Sequence, residues 1–345
     1  MIILTGNGFN YMIMNFIKNS ISNYTNELNL TQEELNDLND KIQEITALWK
    51  EFDKFFKDLM KEYPTLNSEE IIKMINLVLN FLSNSDTLEK LIPDCKEHIA
   101  PIKLGMEKAI GEKILEICNK FRTFEQSDNY KLIKKLFPNF GDKIRSSLTE
   151  KNIQPLFLTT NYDGIEDTIL TNHGTFIPDG FGKNKHGDLV LIEDNLNKDE
   201  LFFHIHGSYK FKKDFYETIK LRQTSENLNP LMIFNQPELK KKQIMEDNVL
   251  REYFYIFEEK LKTCKNFIII GNSLKNEPHI IELLKKQEFN DEHHNLYIYD
   301  NNPEQVEKTI NNEFKRKIIN FNIKKINTEI FNNSEKFIDN LLSIN

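Results

Sequence analysis

The chain has 345 residues with 45 Lys+Arg against 53 Asp+Glu, a formal net charge of -8, so it lacks the overall basic balance behind most non-specific nucleic-acid affinity, and direct nucleic-acid binding is not expected. Its 26 Phe and 11 Tyr, within 39% hydrophobic residues, supply enough apolar surface to offset ordering entropy, which excludes a disordered chain, a collagen and a disulfide miniprotein. This length suits one elaborated domain or two packed ones.

Cys95, Cys118 and Cys264 are scattered without a CxxC pair, so neither a disulfide framework nor a cysteine-rich zinc module can be assembled, and a reducing compartment fits. Met1–Leu4 is apolar but too short for a signal segment, and no apolar run of about 18 residues follows. A soluble, cytoplasmic protein without membrane contact is expected.

In chain order, Met1–Leu4 reads as a buried strand stopped by Gly6-Asn7-Gly8-Phe9, and Met12, Ile13, Phe16 and Ile17 then recur at helical spacing. From 20 to 148 the helical period dominates. Thr31-Gln32-Glu33-Glu34 forms a capping box, followed by a stripe of Leu35, Leu38, Ile42, Ile45, Trp49, Phe52, Phe56 and Leu59. A second helix is expected over Ile71–Leu82 and a third over Lys103–Arg122. The region holds no acids at catalytic spacing and reads as a packing or partner-binding layer.

Strand signals resume at Pro155–Thr160, which runs into Asn161-Tyr162-Asp163-Gly164 and a helix over Ile165–Leu170. Short strands are expected at Phe176-Ile177, 188–192 and 201–205, then a long helix over Pro237–Lys262 and a continuous apolar strand at 266–270. Helix 278–286, strand 296–299, helix 303–314, strand 318–323 and helix 334–342 complete an alternating β/α series. Alternation of this kind predicts an α/β fold: a Rossmann-like parallel sheet with helices on both faces and a large all-helical insertion after the first βα unit. The domain division is then 1–19 and 149–345 for the α/β domain and 20–148 for the helical insertion.

Ligands of open parallel sheets bind at the carboxyl ends of the strands. Five expected strand ends carry small or polar clusters: Gly6-Asn7-Gly8, Thr159-Thr160-Asn161-Tyr162-Asp163, His204-Ile205-His206-Gly207-Ser208, Gly271-Asn272-Ser273-Leu274 and Tyr299-Asp300-Asn301. Singly these are ordinary turns and caps. In this order they resemble the motif series of the sirtuin-like (silent information regulator 2) family, over 1–17 and about 155–301.

That resemblance implies a nucleotide site at which NAD is the substrate and the bond between nicotinamide and ribose is broken. It implies His206 as general base, Asn161 as the residue positioning ribose and water, and Asp163 as an orienting group. Gly6, Asn7, Gly8, Phe9, Thr160, Gly271, Ser273, Asp300 and Asn301 would contact the cofactor. The interval between His206 and Gly271 holds only Cys264, not the four-cysteine zinc module of protein-deacylating sirtuins, and the first turn reads Gly-Asn-Gly-Phe. Both departures resemble the bacterial antiphage-defence members, which hydrolyse NAD to nicotinamide and ADP-ribose.

The expectation is therefore a NAD hydrolase acting as an antiviral-defence effector, assembled as a homo-oligomer or with a regulatory or ATPase/nucleotide-processing partner. The alternative is a catalytically silent NAD or ADP-ribose sensor or scaffold, with protein deacylation behind it. No metal is expected, for want of a compact His/acid set. His204, two residues before His206, is expected on the same strand face in a packing role. His279 is weighed as a cofactor contact, His293-His294 as a solvated loop pair, and Lys240–Lys242 and Lys315–Lys317 as solvated helix faces.

Overall fold

The computed structural model describes residues 1–20, 31–59, 95–137, 140–170, 177–214, 217–222, 225–233, 237–286, 294–313, 322–326 and 334–344. Its centre is a six-stranded sheet of β1 (Ile2–Thr5), β2 (Leu156–Thr159), β5 (Leu201–His204), β9 (Asn266–Ile270), β10 (Asn295–Tyr299) and β11 (Asn322–Ile326), in the order β11-β10-β9-β1-β2-β5. Every neighbouring pair is parallel. The α/β class and parallel sheet anticipated from the β/α alternation are thus present.

Side chains of a strand alternate between faces, and here both faces are buried. Ile3, Phe157, Phe202, Ile268 and Tyr297 enter one core, while Ile2, Leu4, Leu158, Phe203, Ile269 and Ile298 enter the other. The first core is closed by α1 (Asn7–Ser20), α2 (Gln32–Leu59), α3 (Cys95–Gln126), α4 (Asp128–Leu136), α5 (Phe140–Glu150), α6 (Ile165–Leu170) and α12 (Ser334–Ser343). The second is closed by α7 (Glu193–Leu196), α8 (Pro237–Glu246), α9 (Asn248–Thr263), α10 (Pro278–Lys286) and α11 (Pro303–Glu313).

The stripe on α2 points inward, with Leu35, Leu38, Ile42, Ile45 and Leu48 buried in the first core. Its helix is opened by the expected box: Glu34 N–H donates to Thr31 Oγ1 at 3.1 Å and Thr31 N–H donates back to Glu34 Oε2 at 2.7 Å. Ile117, Phe121, Phe124, Ile133, Ile144 and Leu148 join that same core, so the described helices between 32 and 150 share one apolar interior with β1, β2 and β9. Helix 71–82, the side chains of Trp49, Phe52, Phe55 and Phe56, Met60, His293 and Lys315–Lys317 lie outside the described residues.

Several boundaries differ from the sequence reading. The helix expected over 237–262 is two helices, broken at Asp247, whose carboxylate caps α9 by accepting from Val249 N–H at 3.0 Å and Leu250 N–H at 3.1 Å. An N-cap residue holds extended dihedrals, so it ends one helix while opening the next. Ile177 belongs to no strand, and the last strand is Asn322–Ile326 rather than 318–323.

A second sheet, antiparallel and five-stranded, joins β3 (Phe181–Lys183), β4 (Leu189–Leu191), β7 (Thr218–Lys220), β6 (Gly207–Lys213) and β8 (Pro230–Met232) in the order β3-β4-β7-β6-β8. Only Ile205 and His206 separate the end of β5 from the start of β6, so the His206-Gly207 step is the corner between the sheets. Among the described residues no helix is long and apolar enough to cross a membrane.

Candidate active site at the carboxyl ends of the parallel strands

The sheet order contains one reversal. From β1 the chain builds outward through β2 and β5, then returns to the other side of β1 with β9, β10 and β11. Open α/β sheets bind ligands outside the carboxyl ends of the strands at such a switch point. The turn after β1 and the turn after β9 meet there.

Their contact is backbone against backbone. Gly6 N–H donates to the Ile270 carbonyl at 3.0 Å, Gly8 N–H to the Gly271 carbonyl at 2.8 Å, and Phe9 N–H to Gly6 at 2.8 Å. Gly271 has φ +59°, and a Cβ there would lie 2.3 Å from the Gly8 carbonyl carbon. Only glycine permits both the left-handed backbone and this approach. The turn opens α1, so a helix amino terminus, whose dipole favours a phosphate, lies at this junction, although the Gly6, Gly8 and Phe9 N–H groups are already taken by backbone carbonyls. Phe9 is buried in the core beneath, leaving only its backbone in the turn.

The end of β2 is wired into the same turn. Asn161 Nδ2 donates to the Gly6 carbonyl at 3.1 Å, Thr160 N–H donates to Thr5 O at 3.1 Å, and Asn272 Nδ2 donates to Thr160 Oγ1 at 3.0 Å. Asp163 accepts from Asn10 Nδ2 at 2.9 Å and from Ile165 N–H at 3.0 Å, which ties α1 to the start of α6. Burial raises the Asp163 carboxyl above its ordinary value, against those two donors, so it serves as an orienting hydrogen-bond acceptor more than as a free charge.

His206 stands at the corner after β5. Its Nε2 lies 3.0 Å from His279 Nε2 and 3.3 Å from Glu277 Oε2, and the other Glu277 oxygen accepts from Lys240 Nζ at 3.2 Å. All four residues are buried. Burial first, and then the Lys240 charge, hold both imidazoles below their ordinary value, His279 at about 3, so both are neutral at physiological pH. Gly207, at φ +83°, makes this corner possible, because a Cβ there would sit 2.0 Å from the Leu231 carbonyl oxygen.

This cluster corrects three expectations. A compact His/acid set does exist, formed by His206, Glu277 and His279. Lys240 is not on a solvated face but buried against Glu277, whereas Lys241 and Lys242 do pair with the surface acids Glu282 and Glu246. His204 and His206 have different partners, since β5 ends at His204. His204 Nδ1 is 2.9 Å from the Asn161 carbonyl and Nε2 is 2.9 Å from Asp167 Oδ2. Burial opposes charge on this pair, but their mutual attraction prevails: Asp167 is held well below the carboxylate range and His204 is raised. His204 thus acts as a buried strut that fixes the Asn161 backbone.

Glu166 lies under the same strand ends, against the Thr5 hydroxyl, and burial pushes its carboxyl to about 8. The Thr5 hydroxyl also stands 3.2 Å from the Leu158 carbonyl. One hydroxyl hydrogen cannot serve both acceptors. A protonated Glu166 resolves this by donating to Thr5 while Thr5 donates to Leu158.

The structure therefore brings together Gly6, Asn7, Gly8, Thr160, Asn161, Gly271 and the Asp163 and His206 corners along one edge of the sheet. Ser273 is exposed beside them. Asp300 and Asn301 follow β10 on the outer side of Gly271, whose N–H donates to Tyr299 O at 2.7 Å, and Asp300 accepts from Asn302 N–H at 2.8 Å as a turn cap. Glu277, Lys240, Asn10 and Asn272 are site residues that sequence reading missed. The Glu277-Pro278-His279 spacing, six residues past Gly271, was the available signal. A cavity of about 660 Å³ opens at the opposite end of the strands, lined by Met1, Asn152, Cys264 and Asn266, away from all of these groups. No protein-family model and no curated protein matches this chain.

Proposed function

We propose that the chain is a sirtuin-like NAD glycohydrolase with a Rossmann-like nucleotide site, converting NAD and water to nicotinamide and ADP-ribose. The observation that carries this reading is the glycine-tight junction of the β1 and β9 turns at the sheet's switch point, flanked by Asn161 and His206 on the next two strand ends. A pyrophosphate would lie at the amino terminus of α1 beside the Gly6-Asn7-Gly8 turn, with Thr160, Gly271, Ser273, Asp300 and Asn301 around the adenosine and ribose.

In the reaction the bond from ribose C1′ to the nicotinamide nitrogen breaks, its electron pair leaving with nicotinamide. A water oxygen bonds to C1′, and its proton leaves to the protein. His206, neutral in the resting site, is the acceptor, and the adjacent Glu277 carboxylate compensates the charge that develops on the imidazole. Asn161, fixed through its own carbonyl by His204 and through Nδ2 by Gly6, positions the ribose and the water. Asp163 keeps the loop after β2 against α1.

An unrestrained NAD hydrolase would harm its host, so we read the chain as an antiviral-defence effector gated by assembly, as a homo-oligomer or with a nucleotide-processing partner. The described helices of 20–148 are suited to that gating because α2 packs on α1, the helix that the Gly6-Asn7-Gly8 turn opens. Chromatographic detection of nicotinamide after incubation of purified protein with NAD tests the activity. Intact NAD that is nevertheless bound would favour the silent sensor.

A further inference from the structure

Two imidazole nitrogens and one carboxylate oxygen converge at the corner after β5. The separations are 3.0 Å for His206 Nε2 to His279 Nε2, 3.3 Å for His206 Nε2 to Glu277 Oε2 and 3.7 Å for His279 Nε2 to Glu277 Oε2. A tetrahedral zinc site with metal–ligand bonds of about 2.0–2.1 Å has ligand–ligand edges of about 3.3–3.4 Å. The observed triangle averages that edge. A hydrogen bond between the two histidines explains only one of its three sides, and the Glu277 oxygen at the third corner, Oε2, is buried and accepts no hydrogen bond among the described residues.

The chemistry of the donors agrees. Neutral imidazole nitrogen with carboxylate oxygen is the ligand set of zinc and neighbouring divalent transition metals, and three protein ligands leave a position for water. The chain supplies these donors from rigid places: the glycine corner at His206-Gly207, and the first turn of α10 with the residue before it for His279 and Glu277. Lys240, on the second Glu277 oxygen, steadies the carboxylate but also repels a cation. Affinity is therefore set by a contest between the three ligands and one ammonium.

We propose that His206, Glu277 and His279 form a binding site for a divalent transition-metal ion of the zinc class, opposed by Lys240. An ion there occupies the His206 Nε2 lone pair. Its effect on turnover rests on the NAD-hydrolase reading: metal should inhibit by removing the base, and a strong chelator should leave activity unchanged or raise it. Binding itself does not depend on that reading.

The test is titration of the full chain with Zn(II) against a chromophoric chelator, and with Co(II) followed by the visible absorption that four-coordinate cobalt shows strongly. One equivalent should bind. His279→Gln and Glu277→Gln should each weaken it by at least about 10- to 100-fold, while Lys240→Met should tighten it. Thermal melts with and without zinc give a second readout, because an ion that binds only the folded state raises the melting temperature of the wild type more than that of the ligand variants. Absence of zinc binding by the wild type, or affinity unchanged in both ligand variants, would overturn the site. Zinc binding without any NAD cleavage would uphold the site and sink the proposed activity instead.

Discussion

Gly8 and Gly271, 263 positions apart in the chain, touch backbone to backbone, with Gly8 N–H donating to the Gly271 carbonyl at 2.8 Å. A Cβ on Gly8 would lie 2.5 Å from Gly271 Cα, and one on Gly271 would lie 2.3 Å from the Gly8 carbonyl carbon. The obstruction is main chain on both sides, which cannot rotate away. Gly271→Ala adds the cost of a left-handed backbone, roughly 1–2 kcal/mol, to that clash. Chemical denaturation should show Gly271→Ala losing more stability than Gly8→Ala, and both should lose NAD binding through displacement of the turn.

Asn161 and His206 should separate in their kinetic signatures. His206→Ala removes the proposed proton acceptor and on that reading should lower kcat by about 10²- to 10⁴-fold with little change in KM. Asn161→Ala also frees the Gly6 carbonyl, so both kcat and KM should suffer. Steady-state assays on folded variants check this; near-native turnover in either would remove the role assigned to it.

Glu166 provides a pH prediction. Its carboxyl is raised to about 8 in the fold against 4.5 when unfolded, so between these values the native state holds the extra proton. Stability from this group is full below the unfolded value and is lost as pH climbs through about 8. Glu166→Gln mimics the protonated form. Melting temperatures measured from pH 5 to 9 should fall less steeply for Glu166→Gln than for the wild type, with the variant more stable at the alkaline end.

The order of strand ends was legible because the central parallel strands β1, β2, β5 and β9 are buried on both faces and so read as short apolar runs, as in Phe267–Ile270, each followed by a small or polar cluster. The antiparallel sheet was less so. Its strands β7 and β8 have three residues each, too short for a period to register, and β6 alternates only as Tyr209, Phe211 against Lys210, Lys212. The His206–Glu277–His279 group was hidden for another reason. His206 and His279 are 73 residues apart, and β1 and β2 lie between β9 and β5 in the sheet, so the contact is made by the segment that leads from β9 into α10 and not by neighbouring strands. Lys240 looked like one of three surface lysines because it is followed directly by Lys241 and Lys242, and Ile244 is the one buried apolar side chain among the described residues of α8 that marks the same inward face.

Lys210 and Glu125 form a buried ion pair of 2.6 Å that fastens α3 to β6, beside Gly164. Lys210→Met alone removes the ammonium that faces the buried Glu125 carboxylate and should cost about 3–5 kcal/mol, whereas adding Glu125→Gln should recover much of that loss. A double-mutant cycle by urea unfolding checks the pair.

The most direct measurement is nicotinamide release from NAD by the purified full chain at high micromolar concentration, where assembly is favoured, beside His206→Ala under the same conditions. Equimolar nicotinamide and ADP-ribose from the wild type, with release lost in the variant, is the predicted result. Intact NAD in the presence of folded wild-type protein, or equal release by the variant, would contradict the assignment.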